Sequence, residues 1–127
     1  AVLVYCGREA WVRRYGDYGV QTRQVTNGNE ADPRPGLHGS CLTFIRDHDV
    51  SMLVSDMIDA YPTGYDDVAW TVHGALWAFG TALLDNALLE PLAEHCRRTR
   101  RVDFMLTVAP LRVPGGTGSP VNPLAIL

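Results

Sequence analysis

A histidine and an aspartate stand out in an apolar part of the sequence. His73 lies in the run VAWTVHGALWAFG, and Asp85 follows TALL twelve positions later. Imidazole and carboxylate groups are common ligands of zinc and manganese. Each residue also has a structural explanation, because a lone histidine on an apolar helix is usually a core or boundary residue and Asp85 can cap a following helix. The pair is therefore either half of a metal site or two unrelated structural residues.

The surrounding segments predict alternating strands and helices. Apolar runs that end in glycine or an acid indicate buried strands, and runs with apolar residues at helical spacing indicate helices. The predicted strands are VLVYCG, VSMLVSD, TALLD, VDFMLTVAPLRV and PLAIL, and the predicted helices are EAWVRRYG, GSCLTFIRDHD, VAWTVHGALWAFG and LLEPLAEHCRRTRR. This order predicts one α/β domain over residues 1–127, with a mixed sheet and flanking helices.

Several local features refine this picture. Asp56 and Asp85 each end a predicted strand, and ligands bind at the carboxyl edge of open α/β sheets. Ser40 is a candidate helix cap. Gly80 is predicted to end the helix that carries His73. The segment GGTGSP predicts a tight turn between two strands. Residues 17–36 are polar and rich in glycine, and we expect them to form a surface or lid-like loop.

Composition excludes several classes of function. The chain has 127 residues, 46% of them hydrophobic, with a net charge of −3, so nothing predicts binding to nucleic acid or to an anionic membrane. All 11 basic residues are arginine, and the cluster at 97–101 falls in the last turn of a predicted helix, where cations are favourable. The three cysteines form no CxxC pair, and no apolar run reaches membrane-spanning length. We expect a cytoplasmic protein.

Three segments resemble a known family in order and spacing. They are PGLHGSCLTFIRDHDVSMLVSD, VHGALWAFGTALLDN and FMLTVAPLRVPGGTGSPVNPLAIL, and the last is the most specific. They resemble the C-terminal half of the cyclase family of metal-dependent hydrolases, which includes bacterial kynurenine formamidase and isatin hydrolase. The resemblance implies the swivelling β/β/α fold of that family. It also implies a site for divalent zinc or manganese.

The resemblance assigns roles to the two residues noted first. Family members carry a histidine and, twelve residues later, a carboxylate that is usually glutamate; His73 and Asp85 fall on these positions as catalytic residues and metal ligands. Aspartate is one methylene shorter than glutamate but remains a competent ligand. The family's main metal motif, HxGTHxDxPxH, is absent from this sequence.

The resemblance therefore implies an enzyme with part of its site elsewhere. The expected reaction is hydrolysis of a small aromatic amide or lactam, with N-formylkynurenine to kynurenine and formate as the leading candidate. We expect these 127 residues alone to bind metal weakly and to lack hydrolase activity until the N-terminal segment or a partner chain completes the site. We also expect a homodimer or larger assembly. The alternative is a non-catalytic α/β domain that serves assembly or small-molecule binding.

Overall fold

The computed structural model describes residues 1–15, 35–66, 68 and 70–127. They fall into two compact units, Ala1–Glu90 and Pro91–Leu127. The predicted α/β class is confirmed, with parallel and antiparallel strands in separate sheets. The elements in chain order are β1 (Val2–Val4), α1 (Arg8–Tyr15), α2 (Cys41–Asp47), β2 (Met52–Ser55), a 3-10 turn (Val72–Gly74), α3 (Ala75–Phe79), β3 (Ala82–Leu84), α4 (Glu90–Thr99), β4 (Met105–Thr107) and β5 (Leu124–Ile126).

The first unit contains a parallel three-stranded sheet in the order β1-β2-β3. Leu53 of the central strand β2 lies opposite Val2 in β1 and Leu83 in β3. Because the strands are parallel, the loops that follow them leave the sheet at the same edge. The polar residues after β2 and β3 therefore come close together.

The core of this unit forms where β2 packs against α2 and the segment around His73. β2 carries consecutive buried residues, as expected for a strand covered on both faces. The buried apolar cluster consists of Ile45, Val50, Leu53, Ile58, Val72 and Ala75. Val72 directly precedes His73, so core packing fixes the backbone on which the histidine stands.

The helices differ from prediction in length and capping. α2 forms where the sequence predicts it, but Ser40 makes no side-chain cap; its hydroxyl instead lies 3.0 Å from Nδ1 of His38. The helix predicted over residues 68–80 is wrong in length, because it is reduced to the 3-10 turn followed by α3. It ends at Gly80 as predicted, with a left-handed φ of 72°.

The second unit contains most of α4 and an antiparallel ribbon of β4 and β5. Met105 pairs with Ile126, and Thr107 pairs with Leu124. The long strand predicted over residues 102–113 is wrong in extent, because only three of its residues pair. The glycine-rich segment does not form a tight hairpin; it contains a turn in which Gly116 N–H donates to Val113 O at 3.0 Å, within a longer connection.

Two further predictions concern the chain as a whole. The lid-like loop falls almost entirely on residues 16–34, which lie outside the described residues. Within the described ranges, the structure contains no helix long and apolar enough to cross a membrane.

Candidate metal centre

Four polar side chains lie at the carboxyl edge of the parallel sheet. Asp56 and Asp59 follow β2, Asp85 follows β3, and His73 lies in the 3-10 turn before α3. The buried Asp59 and the half-buried Asp85 each contact the His73 ring. Asp56, by contrast, points toward the turn after β1.

Asp56 serves the structure of that turn. Its carboxylate is fully buried and accepts the backbone N–H groups of Cys6, Gly7 and Arg8 at 2.7, 2.9 and 2.8 Å. These donors lead into α1, where the first backbone N–H groups of a helix have no intrahelical acceptor. Asp56 thus ties β2 to the start of α1.

The first contact of the His73 ring is with Asp59. Nδ1 of His73 hydrogen-bonds to Oδ2 of Asp59, whose side chain has no exposed surface. Oδ1 of the same carboxylate accepts the N–H of Val72 at 2.6 Å. Asp59 therefore holds both the backbone and the ring of the histidine segment.

The second contact of the ring is with Asp85. Nε2 of His73 lies 3.7 Å from Oδ2 of Asp85, and the two side chains are 32% and 25% exposed, so solvent reaches them. Oδ1 of Asp85 accepts the N–H groups of Ile58 at 3.1 Å and of Asn86 at 2.8 Å. These bonds fix the carboxylate and leave Oδ2 directed toward the imidazole.

Trp70 packs beside the same ring. Its indole meets the His73 imidazole edge to face, with ring centroids 5.4 Å apart and planes at 79°. The indole is 51% exposed, so it forms an apolar surface next to the histidine. An amphipathic ring of this size offers a flat face to a bound aromatic group.

Comparison with known proteins gives a match to a solved structure. No protein-family profile and no curated protein sequence matches the chain. A solved structure described as a novel cyclase matches with a TM-score of 0.72 and 25% sequence identity, over 98% of this chain and 39% of that protein. The fold is similar to that of a cyclase. The chain spans about two fifths of the cyclase's length. The match supports the family that the sequence resembles.

The carboxyl edge of the parallel sheet can be tested as a metal site from its own geometry. Two ligands of a tetrahedral zinc, each about 2.1 Å from the metal, lie roughly 3.4 Å apart. The separation of 3.7 Å between His73 Nε2 and Asp85 Oδ2 is close to that value. An imidazole nitrogen and a carboxylate oxygen suit zinc or manganese. The residues therefore fit a divalent metal as a partial ligand set.

Within the described part of the chain, the set of metal ligands is incomplete. There, no group of three His, Cys, Asp or Glu side chains is arranged to hold a metal ion. A catalytic zinc usually has three protein ligands. His73 and Asp85 thus contribute two ligands at most.

The structure brings both predicted site residues together, and their role as metal ligands stays a prediction. Sequence reasoning missed Asp59, because it falls in a segment interpreted only as a loop. One general rule could have found it: a metal-binding histidine donates its other ring N–H to a carboxylate or carbonyl group. The loop after the central strand is where such a partner belongs.

A half-buried thiol lies at the same end of the sheet. Cys6 follows β1, and its Sγ is 3.7 Å from Oγ of Ser55. Burial raises the pKa of the Cys6 thiol, the Ser55 hydroxyl opposes the rise, and the charge of Asp56 adds to it. The raised pKa favours the neutral thiol, which is a poor nucleophile.

Proposed function

We propose that this chain is part of a metal-dependent hydrolase that cleaves an amide or lactam C–N bond. His73 and Asp85 are its contribution to a zinc or manganese site. The observation that carries the proposal is the convergence of His73 Nε2 and Asp85 Oδ2 at 3.7 Å, where solvent reaches both. The similarity to a cyclase supports the same conclusion.

The protein's own residues prepare the site in three ways. His73 presents a ring nitrogen, and Asp85 presents one oxygen while its other oxygen is held by two backbone N–H groups. Asp59 binds Nδ1 of His73, the ring nitrogen that does not face Asp85. When bound, the metal would supply Lewis acidity at the scissile carbonyl. Because these groups are fixed before substrate arrives, little reorganisation accompanies the reaction.

The exposed indole of Trp70 favours an aromatic substrate. Its half-exposed indole lies against the His73 ring and would stack on a flat group bound at the metal. N-formylkynurenine, an aryl formamide, is the leading candidate that the sequence resemblance implies. The remaining ligands would come from an upstream segment or from a partner chain in a homodimer or larger assembly.

Calorimetric titration with Zn²⁺ or Mn²⁺ tests the proposal, on this chain and on a version extended by its upstream sequence. We expect weak binding by the chain, tighter binding and formamide hydrolysis by the longer protein, and loss of both in His73→Ala and Asp85→Asn. His48→Ala is the control, because it removes an imidazole from the C-terminal end of α2.

Two results would count against the proposal. Unchanged metal affinity in His73→Ala would overturn it. Loss of stability in that variant, with no metal binding by either wild-type protein, would favour the alternative of a non-catalytic α/β domain.

A further inference from the structure

We infer that Asp59 is a positioning residue: its carboxylate accepts the Nδ1–H of His73, so that Nε2 faces Asp85 and carries the lone pair whenever the ring is neutral. The value of this arrangement for metal binding rests on the proposed function. The tautomer itself does not, because it is a property of the metal-free chain.

The burial of Asp59 is the first step of the argument. Its side chain is wholly inaccessible to solvent, and a buried carboxylate must be matched by hydrogen-bond donors. Val72 N–H satisfies Oδ1 at 2.6 Å. Oδ2 faces Nδ1 of His73, so a proton on Nδ1 supplies a donor to the second oxygen.

The second step follows from the chemistry of imidazole. A neutral ring carries one proton, and the other nitrogen is then an acceptor. With the proton on Nδ1, Nε2 has a lone pair 3.7 Å from Oδ2 of Asp85. Two acceptors that face each other at this distance form a place for a cation. The reverse tautomer would set two acceptors, Nδ1 and a buried carboxylate oxygen, against each other in hydrogen-bond contact.

The third step concerns what holds this geometry. Val72 is fully buried in the core, and its N–H is bound to the same carboxylate that binds the ring of the next residue. The Asp59 carboxylate thus holds both the backbone of this segment and the histidine ring. The indole of Trp70 packs against the ring at 79° and limits its rotation.

Nitrogen-15 NMR of the histidine rings provides the test. Long-range proton–nitrogen spectra of the metal-free chain distinguish the two tautomers and the imidazolium, so the pH is raised until the imidazolium signal is lost. His73→Gln identifies the His73 signals. We expect the Nδ1–H tautomer in the wild type. In Asp59→Asn, which keeps an acceptor for Val72 N–H, the amide can donate to Nδ1, so we expect a shift toward Nε2–H.

Metal affinity is measured separately on the same proteins. Loss of a carboxylate partner of a ligating histidine weakens metal binding about 10–100-fold, and we expect a loss of that size in Asp59→Asn. The matched control is Asp47→Asn, which changes an exposed carboxylate on α2 and should leave tautomer and affinity as in the wild type.

The outcomes separate the two proposals. The Nε2–H tautomer in the neutral ring of the wild type overturns the role of Asp59, and this measurement does not depend on how any variant folds. An unchanged tautomer in a folded Asp59→Asn variant overturns it too. The Nδ1–H tautomer in a wild type that binds no metal, even when extended upstream, supports the role of Asp59 and overturns the proposed function.

Discussion

The backbone of Asp59 lies directly against Gly36. A Cβ placed on Gly36 would be 2.5 Å from the carbonyl carbon of Asp59 and 2.5 Å from the nitrogen of Ala60. The neighbouring backbone is paired as well, because Leu37 donates to Ile58 O at 2.7 Å and accepts from Ala60 N–H at 3.0 Å. This contact sets the position of Asp59 relative to the sheet.

Gly36→Ala should therefore disturb both stability and the histidine. The φ of Gly36 is +151°, and the new methyl group would meet backbone that cannot rotate away. We expect a loss of about 3 kcal/mol in the free energy of unfolding, measured by urea denaturation. We also expect a shift in the ring signals of His73.

Gly7→Ala is the matched control for backbone conformation. Gly7 also has a positive φ, +91°, but a Cβ there meets nothing within 4 Å. Its cost should be limited to about 1–2 kcal/mol for the left-handed conformation. Equal losses in the two variants would show that the contact with Asp59 is unimportant.

Asp56→Asn tests the carboxylate that ties β2 to α1. An amide has one acceptor oxygen, so at least one of the backbone N–H groups of Cys6, Gly7 and Arg8 loses its acceptor. We expect a loss of at least about 2 kcal/mol, with no direct effect on metal affinity in the folded fraction. Chemical denaturation and metal titration measure the two effects. Equal stability in this variant and in the exposed control Asp47→Asn would contradict the structural role.

Thr63→Val tests the loop that leads to Trp70. The Thr63 side chain is buried, and its hydroxyl bonds to Tyr65 O at 3.0 Å and Val68 O at 2.8 Å. The same hydroxyl accepts the N–H of Tyr65 at 3.3 Å. Valine has the same shape without the hydroxyl, so we expect a loss of about 1–3 kcal/mol and faster exchange of the Tyr65 amide. Thr43→Val, at an exposed position of α2, is the control. Unchanged exchange would show that the loop is held by other contacts.

We predict that the Cys6 thiol makes the free energy of unfolding depend on pH above neutrality. Burial raises its pKa in the folded chain, so the folded state retains the proton at a pH where the unfolded state loses it. The contribution to stability is complete below the ordinary thiol pKa of about 8.5 and declines as pH rises through the raised value. The free energy of unfolding should fall more steeply with alkaline pH in the wild type than in Cys6→Ala. Cys96→Ala, on α4, should follow the wild type; parallel curves for all three would contradict the assignment.

Sequence patterns predicted the parts of the fold that depend on local periodicity. The apolar runs around Val2, Leu53 and Leu83 became the three parallel strands, and Gly80 ended its helix as predicted. Because β3 is parallel to β2, Asp85 lies at the same edge of the sheet as the loop after β2. The structure confirms the α/β fold that follows from these patterns.

The predictions that failed depended on tertiary hydrogen bonds. The residues before Val72 have helical spacing, but Thr63 binds Val68 O and Asp59 binds Val72 N–H, which holds this segment outside a helix. β4 ends at Thr107, where its pairing with β5 ends at Leu124. Asp59 itself lacks any periodic context, so its role depends on contacts that span 14 positions in the chain.

The contacts at the sheet edge form a closed circuit. Ile58 N–H binds Oδ1 of Asp85, Oδ2 of Asp85 faces His73, and His73 binds Asp59, the residue that follows Ile58. Residues in one network couple, often by about 0.5–3 kcal/mol. The energetic effects of substituting Asp59 and Asp85 should therefore not be additive, and a double-mutant cycle would measure their cooperativity. Replacing either aspartate by glutamate should therefore alter the energetic cost of substituting the other.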